Sequence, residues 1–160
     1  MIYFSYPKAG YLKYKDEINS SIQKVLNSDR YIKGSNVAEF ESSFSQYIQT
    51  KYAIGVGNAT DAIYLSLRSL GIGSGDEVIT VSLTATGTAA AIVNSGASPV
   101  FIDINEKYFT INPDDIEAKI NQNTKALIVV HLYGQPCDME KVLAISKKYN
   151  LPVIEDCAQA

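Results

Sequence analysis

From Tyr52 onward the chain alternates short β-branched runs with segments of helical period. That alternation constrains the fold more than any other feature of its 160 residues. The runs span 52–56, 77–81, 99–104, 125–132 and 152–155, and the helical segments 60–70, 86–94, 113–120 and 138–149. The runs are nearly continuous in apolar residues, as strands buried on both faces must be. Strands that alternate with helices predict an α/β fold: a mostly parallel sheet with helices on both faces and right-handed crossovers. Asn112-Pro113-Asp114-Asp115 reads as a helix start, with an Asn cap, Pro at the first position and acids in the first turn.

The first fifty residues read differently. Ile18, Ile22, Val25 and Leu26 fall on one face at helical spacing, and so do Val37, Phe40, Phe44, Tyr47 and Ile48. Asn36 followed by Glu39 reads as a capping pair for the second helix. Asp29-Arg30-Tyr31-Ile32-Lys33-Gly34 is the connection between the two.

Counting removes several kinds of chemistry. The net charge of −3 leaves no basic footprint for nucleic acid or an anionic membrane surface. A single histidine, His131, excludes two-histidine metal motifs, and two cysteines without a C-x-x-C exclude a zinc ribbon or a thioredoxin-type pair. No metal site is expected. Cys137 and Cys157 read as two buried free thiols in a reducing compartment. No apolar run approaches a membrane span, and the amino terminus lacks a signal-peptide pattern, so the expected location is cytoplasmic.

In open α/β sheets ligands sit beyond the carboxyl ends of the strands. The residues there are Gly57-Asn58-Ala59-Thr60-Asp61, Ser82-Leu83-Thr84, Asp103, His131-Leu132-Tyr133-Gly134 and Asp156-Cys157-Ala158-Gln159. Gly55-Val56-Gly57-Asn58-Ala59-Thr60 matches only the first two glycines of a dinucleotide fingerprint, and the second strand ends on Val81-Ser82 without the acid that would hold a ribose. No Gly-Lys-Ser/Thr follows, which excludes a P-loop. The same turn suits a simpler task, because a strand, a turn of small residues and a helix start offer free N–H groups to a phosphate. A plain capped turn reads equally well from spacing alone, and the charge of Asp61 opposes an anion unless its carboxylate turns away. Asp156 ends a run expected to be central and buried, where a carboxylate needs a partner. That partner is either a salt bridge or helix cap, or the ring nitrogen of a ligand. Gln159 could present an amide to the same ligand or serve as a surface or cap residue. His131 is either an acid–base group or a hydrogen-bonded core residue.

Five segments, taken in order, carry a family resemblance. They are Tyr52-Ala53-Ile54-Gly55-Val56-Gly57-Asn58-Ala59-Thr60-Asp61-Ala62, Leu70-Gly71-Ile72-Gly73-Ser74-Gly75-Asp76-Glu77-Val78-Ile79, Gly96-Ala97-Ser98-Pro99-Val100-Phe101-Ile102-Asp103-Ile104, His131-Leu132-Tyr133-Gly134-Gln135-Pro136 and Val153-Ile154-Glu155-Asp156-Cys157-Ala158-Gln159-Ala160. Together they resemble the N-terminal part of the DegT/DnrJ/EryC1/StrS family. Its members are fold-type-I, pyridoxal-phosphate-dependent aminotransferases that act on nucleotide-linked keto-sugars. The resemblance covers nearly the whole chain.

The resemblance implies that Ala59, Thr60 and Asp61 form the cofactor-phosphate turn, that Asp156 pairs with the pyridine nitrogen, and that Gln159 contacts the phenolic oxygen. It further implies glutamate as amino donor and a homodimer with shared active sites, with the 30–34 connection contributing to the interface. Residues 1–50 would be an N-terminal helical segment of the large domain and 51–160 the first part of the pyridoxal-phosphate-binding large domain. The catalytic lysine, the remaining strands and the small C-terminal domain would lie beyond Ala160, so the piece alone would be inactive. The segment 82–88 lacks the aromatic that packs on the cofactor ring in many members, leaving Leu83, Ala85 or a residue elsewhere for that contact. Alternative readings are a sugar dehydratase of the same family, with the lysine replaced, and a non-catalytic nucleotide- or cofactor-binding regulatory module.

Overall fold

The computed structural model describes residues 5–160. The chain divides into two compact units, Met1–Gly55 and Val56–Ala160.

The first unit holds three helices, α1 (Pro7–Lys13), α2 (Lys15–Leu26) and α3 (Ser35–Tyr47). None contains a buried residue. Phe40 and Phe44 stack with ring centroids 5.6 Å apart, while Tyr47 stays 84% exposed. The 29–34 segment is the expected connection. The cap of α3 is not the Asn36/Glu39 pair, because Gly34 takes the N-cap and its carbonyl accepts the Val37 amide. A Cβ at Gly34 would stand 2.9 Å from the Arg30 carbonyl oxygen, so a side chain there would crowd the backbone.

The expected strand at 52–56 does not form. A strand needs a neighbour to take its backbone groups. Here the Gly55 amide donates to the Glu41 side chain at 2.7 Å, and Ile54 is 80% exposed.

The second unit is built on one four-stranded parallel sheet: β1 (Glu77–Val81), β2 (Ser98–Ile102), β3 (Thr124–Val130) and β4 (Val153–Asp156), in the order β2-β1-β3-β4. Helices α4 (Ala59–Ser69), α5 (Thr86–Ser95) and α6 (Met139–Tyr149) complete it. Side chains alternate between faces along a strand. On one face Val78, Ala126 and Ile128 pack with Ile63 and Leu67 of α4 and Ala91 and Ile92 of α5. On the other, Ile79, Val81, Leu127 and Val129 pack with Val142 and Ile145 of α6. This is the α/β architecture, with helices on both faces, that the alternation predicts.

Two expectations about the sheet need correction. The strand that ends in Asp156 is an edge of this sheet rather than its centre; Val153 and Ile154 are half-buried and Glu155 is exposed. The 113–120 segment forms two 3-10 turns, Pro113–Asp115 and Glu117–Lys119, instead of an α-helix. Its turns close through i→i+3 bonds, from the Ile116 amide to the Pro113 carbonyl and from the Ile120 amide to the Glu117 carbonyl. Ile111 and Ile116, both in the core, pin the segment to the sheet instead. Asn112 does cap it, accepting the Asp114 amide at 3.4 Å.

The connections set the location of the site. From β1 the chain passes through α5 to β2 on one side, and the later β3 pairs on the other side of β1. The loops leaving β1 and β3 therefore diverge, which opens a crevice at the carboxyl end of the sheet.

Candidate functional site

The turn before α4 is organised by Asn58. Its Oδ1 accepts the Asp61 amide at 2.8 Å, and its Nδ2 donates to the Asp61 carboxylate at 2.9 Å. This bends the carboxylate back, with Oδ2 3.2 Å from where a Cβ of Gly57 would stand. The Asp61 amide is thereby occupied, and the Asn58 carbonyl accepts the amide of Ala62. The amides of Ala59 and Thr60 open the helix without an intrahelical acceptor.

A second helix start adjoins the first. A Cβ on Gly87, in the first turn of α5, would lie 2.5 Å from the Thr60 hydroxyl oxygen. Only a residue without a side chain lets the two turns approach this closely. The positive ends of α4 and α5 thus meet at Thr60 and Gly87.

The next residue, Thr88, reaches the end of the sheet. It is buried, at 1% exposed, and its hydroxyl donates to Asp156 Oδ2 at 2.8 Å. The Ala158 amide donates to Asp156 Oδ1 at 3.2 Å. Asp156 is 8% exposed. Thr60, Gly87, Thr88 and Asp156 therefore form one continuous line along the carboxyl edge. Sequence reasoning picked out Thr60 and Asp156 and missed the two residues between them. The available signal was a pair of threonines, Thr84 and Thr88, four apart across a helix start.

Gln159 lies beside the loop that follows β3. Its Oε1 accepts the Tyr133 amide at 3.0 Å, leaving its Nε2 as a directed donor. Tyr133 has φ 57° and projects its ring into solvent. With Leu83, Leu132, Tyr108, Phe109 and Lys107 it lines a cavity of about 440 Å³, so Leu83 is placed to offer an apolar face.

His131 is a satisfied core residue. Its Nδ1 accepts the Cys137 amide at 3.1 Å, so Nε2 carries the proton and donates to Glu155 at 2.9 Å. The ligating atoms of His131, Glu155 and Cys157 lie within 4.8 Å of one another. Nε2 nevertheless has no lone pair to give a metal in this tautomer.

Both cysteines are free; Cys137 is buried, but Cys157 is exposed, against expectation. Partial burial pushes the Cys157 thiol up, and the charges of Glu155 and Asp156 add to this. The thiolate is the reactive form. Iodoacetamide should therefore alkylate native Cys157 more slowly than the same residue in urea-unfolded chain. The native rate should also rise at higher pH than the unfolded rate. Coincident pH profiles would contradict this environment.

A family model described as the DegT/DnrJ/EryC1/StrS aminotransferase family matches residues 13–160. The chain is 49% identical over 149 residues to a dTDP-3-amino-3,6-dideoxy-alpha-D-galactopyranose transaminase of Aneurinibacillus thermoaerophilus, covering 93% of this chain and 41% of that protein. Among solved structures it is similar to a DegT DnrJ EryC1 StrS aminotransferase from Brucella abortus, with a TM-score of 0.96 and 33% identity, covering 100% of this chain and 45% of that one. It is also similar to NtdA from Bacillus subtilis, solved with bound cofactor PMP, with a TM-score of 0.90 and 36% identity, covering 92% and 34%. The chain spans about 40% of the length of the curated relatives it matches.

Proposed function

The chain belongs to the DegT/DnrJ/EryC1/StrS aminotransferase family, and from that premise we propose that it holds pyridoxal 5'-phosphate in an enzyme that aminates a nucleotide-linked keto-sugar. In this reading residues 1–50 are a helical segment and 51–160 the first part of the cofactor-binding domain. The observation that carries it is the line from Thr60 through Gly87 and Thr88 to Asp156, because it joins an anion site to a buried carboxylate.

The residues fit the cofactor. The amides of Ala59 and Thr60, at the positive end of α4, suit its phosphate. The Asp61 carboxylate is held by Asn58, which lessens the charge conflict. Asp156 is anchored through both oxygens yet keeps lone pairs for a ring N–H. Gln159, oriented by the Tyr133 amide, has Nε2 free to donate to the phenolic oxygen. Leu83, which lines the neighbouring cavity, and Ala85 are the candidates to pack on a ring.

When bound, pyridoxal phosphate supplies an electron sink for amino-group transfer. The contribution of Asp156 is to hold a proton at the ring nitrogen, since a nearby carboxylate favours the charged form of its partner. The contribution of Ala59 and Thr60 is position.

The proposal extends to glutamate as donor, a homodimer and a cytoplasmic location. Among the described residues no helix is long and apolar enough to cross a membrane.

Equilibrium dialysis against pyridoxal phosphate tests the reading. Thr60→Glu should weaken binding by about tenfold or more, and inorganic phosphate should compete. Unchanged affinity in the variant, or no competition, would overturn the phosphate assignment.

A further inference from the structure

We infer that Thr88 is a positioning residue for Asp156, held in turn by Thr84, and that the Gly87–Thr88 step sets the spacing between the phosphate turn and the ring-nitrogen carboxylate. This rests on the cofactor reading above and deepens it.

The direction of every hydrogen bond in the chain follows from chemistry. An ionised carboxylate only accepts. Thr88 therefore spends its one hydroxyl proton on Asp156 Oδ2, at 2.8 Å. Its contact with the Thr84 hydroxyl, at 2.9 Å, must then be one in which Thr84 donates and Thr88 accepts. The relay runs one way, from Thr84 to Thr88 to Asp156. Burial of Thr88 keeps water from substituting for the hydroxyl.

Asp156 lies at the last position of β4, in register with Val130 of β3. Its two anchors come from different elements: the Ala158 amide just beyond β4, and Thr88 on α5. The neighbouring residue, Gly87, packs on the Thr60 hydroxyl. The two ends of the proposed cofactor site are thus coupled through consecutive residues of one helical turn.

Removing the Thr88 hydroxyl has two consequences of the same sign. The carboxylate becomes free to rotate away from the ring nitrogen. Its charge then also stands farther from the ring nitrogen, whose charged form it favours. Either way the ring nitrogen holds its proton less firmly.

The test compares wild type, Thr88→Val, Thr88→Ser, Asp156→Asn and Thr60→Ala as full chains with pyridoxal phosphate labelled with nitrogen-15 in the ring. Two quantities are read: the dissociation constant and the ring-nitrogen chemical shift. Thr88→Val should leave the dissociation constant within a few-fold of wild type, no further off than Asp156→Asn, and move the shift part of the way to the Asp156→Asn value. Thr88→Ser keeps the hydroxyl and should restore the shift. Thr60→Ala should weaken binding while leaving the shift near wild type, which separates positioning from general loss of structure. A Thr88→Val shift equal to wild type, with Asp156→Asn displaced, would overturn this inference and spare the cofactor reading. Equal loss of the shift in Thr88→Ser and Thr88→Val would also overturn it. A wild-type chain that binds no pyridoxal phosphate would overturn the cofactor reading, and the role of Thr88 with it.

Discussion

In the aminotransferase proposed above, Asp156→Asn is expected to keep most of the cofactor affinity and lose the rate of the chemical step by on the order of a hundredfold or more, about 2.7 kcal/mol of barrier. The substitution preserves shape and removes the negative charge. Without it the other acid at the end of β4, Glu155, is engaged by His131 and does not replace it in supporting a proton on the ring nitrogen. The amide also brings a cost of its own. Thr88 and the Ala158 amide each donate to a different carboxylate oxygen. An asparagine has one oxygen, so one of these donors faces an NH₂ group and goes unpaired, at about 1–3 kcal/mol. Single-turnover half-reactions on cofactor-loaded variant, normalised to folded protein, separate the two effects. A normalised rate within a few-fold of wild type would leave Asp156 with only the capping role.

The second large effect is a complete absence. The chain supplied with pyridoxal phosphate and an amino donor should show no turnover, and borohydride reduction should attach no cofactor to a particular lysine. A nucleophilic lysine needs a depressed pKa and a position at the reacting end of the sheet. Residues 82–85, 103, 131–134 and 157–159 contain no lysine. Lys125 lies at the opposite end of its strand. Lys107, in the loop after β2, is held above the usual lysine range by its contact with Tyr108 and stays protonated. Lys141 and Lys148 are likewise raised by their ion pairs with Asp114 and Glu117. A stoichiometric adduct mapped to one of these residues by mass spectrometry would defeat the expectation.

What could be read in advance followed the range of the interactions responsible. Glu77–Val81 and Val153–Asp156 were visible as β-branched runs, and Asn112 as a cap, because those signals lie within a few residues. Tyr52-Ala53-Ile54 has the same composition as a strand and is not one, since pairing is a property of a neighbour and not of the run. Asn36 lost the cap to Gly34, where the approach of the Arg30 carbonyl leaves little room for a side chain. At the site, Thr60 and Asp156 were legible because α/β topology says where to look. Thr88 was not, because its partner is 68 residues away and the Thr84/Thr88 spacing alone does not say what the pair faces. The support of Gln159 by a main-chain amide in a left-handed turn was invisible for the same reason.

That 68-residue separation also bears on how the molecule assembles. A parallel sheet cannot grow by hairpins, and each pairing waits for a long loop to close. The contact between α5 and the end of β4 belongs to one of those closures. A molecule that grips both sides of it binds only the finished arrangement, and at a hundred times its dissociation constant adds about 2.7 kcal/mol to the folded state. The cofactor would then act as a clasp on the polypeptide before it takes part in any reaction.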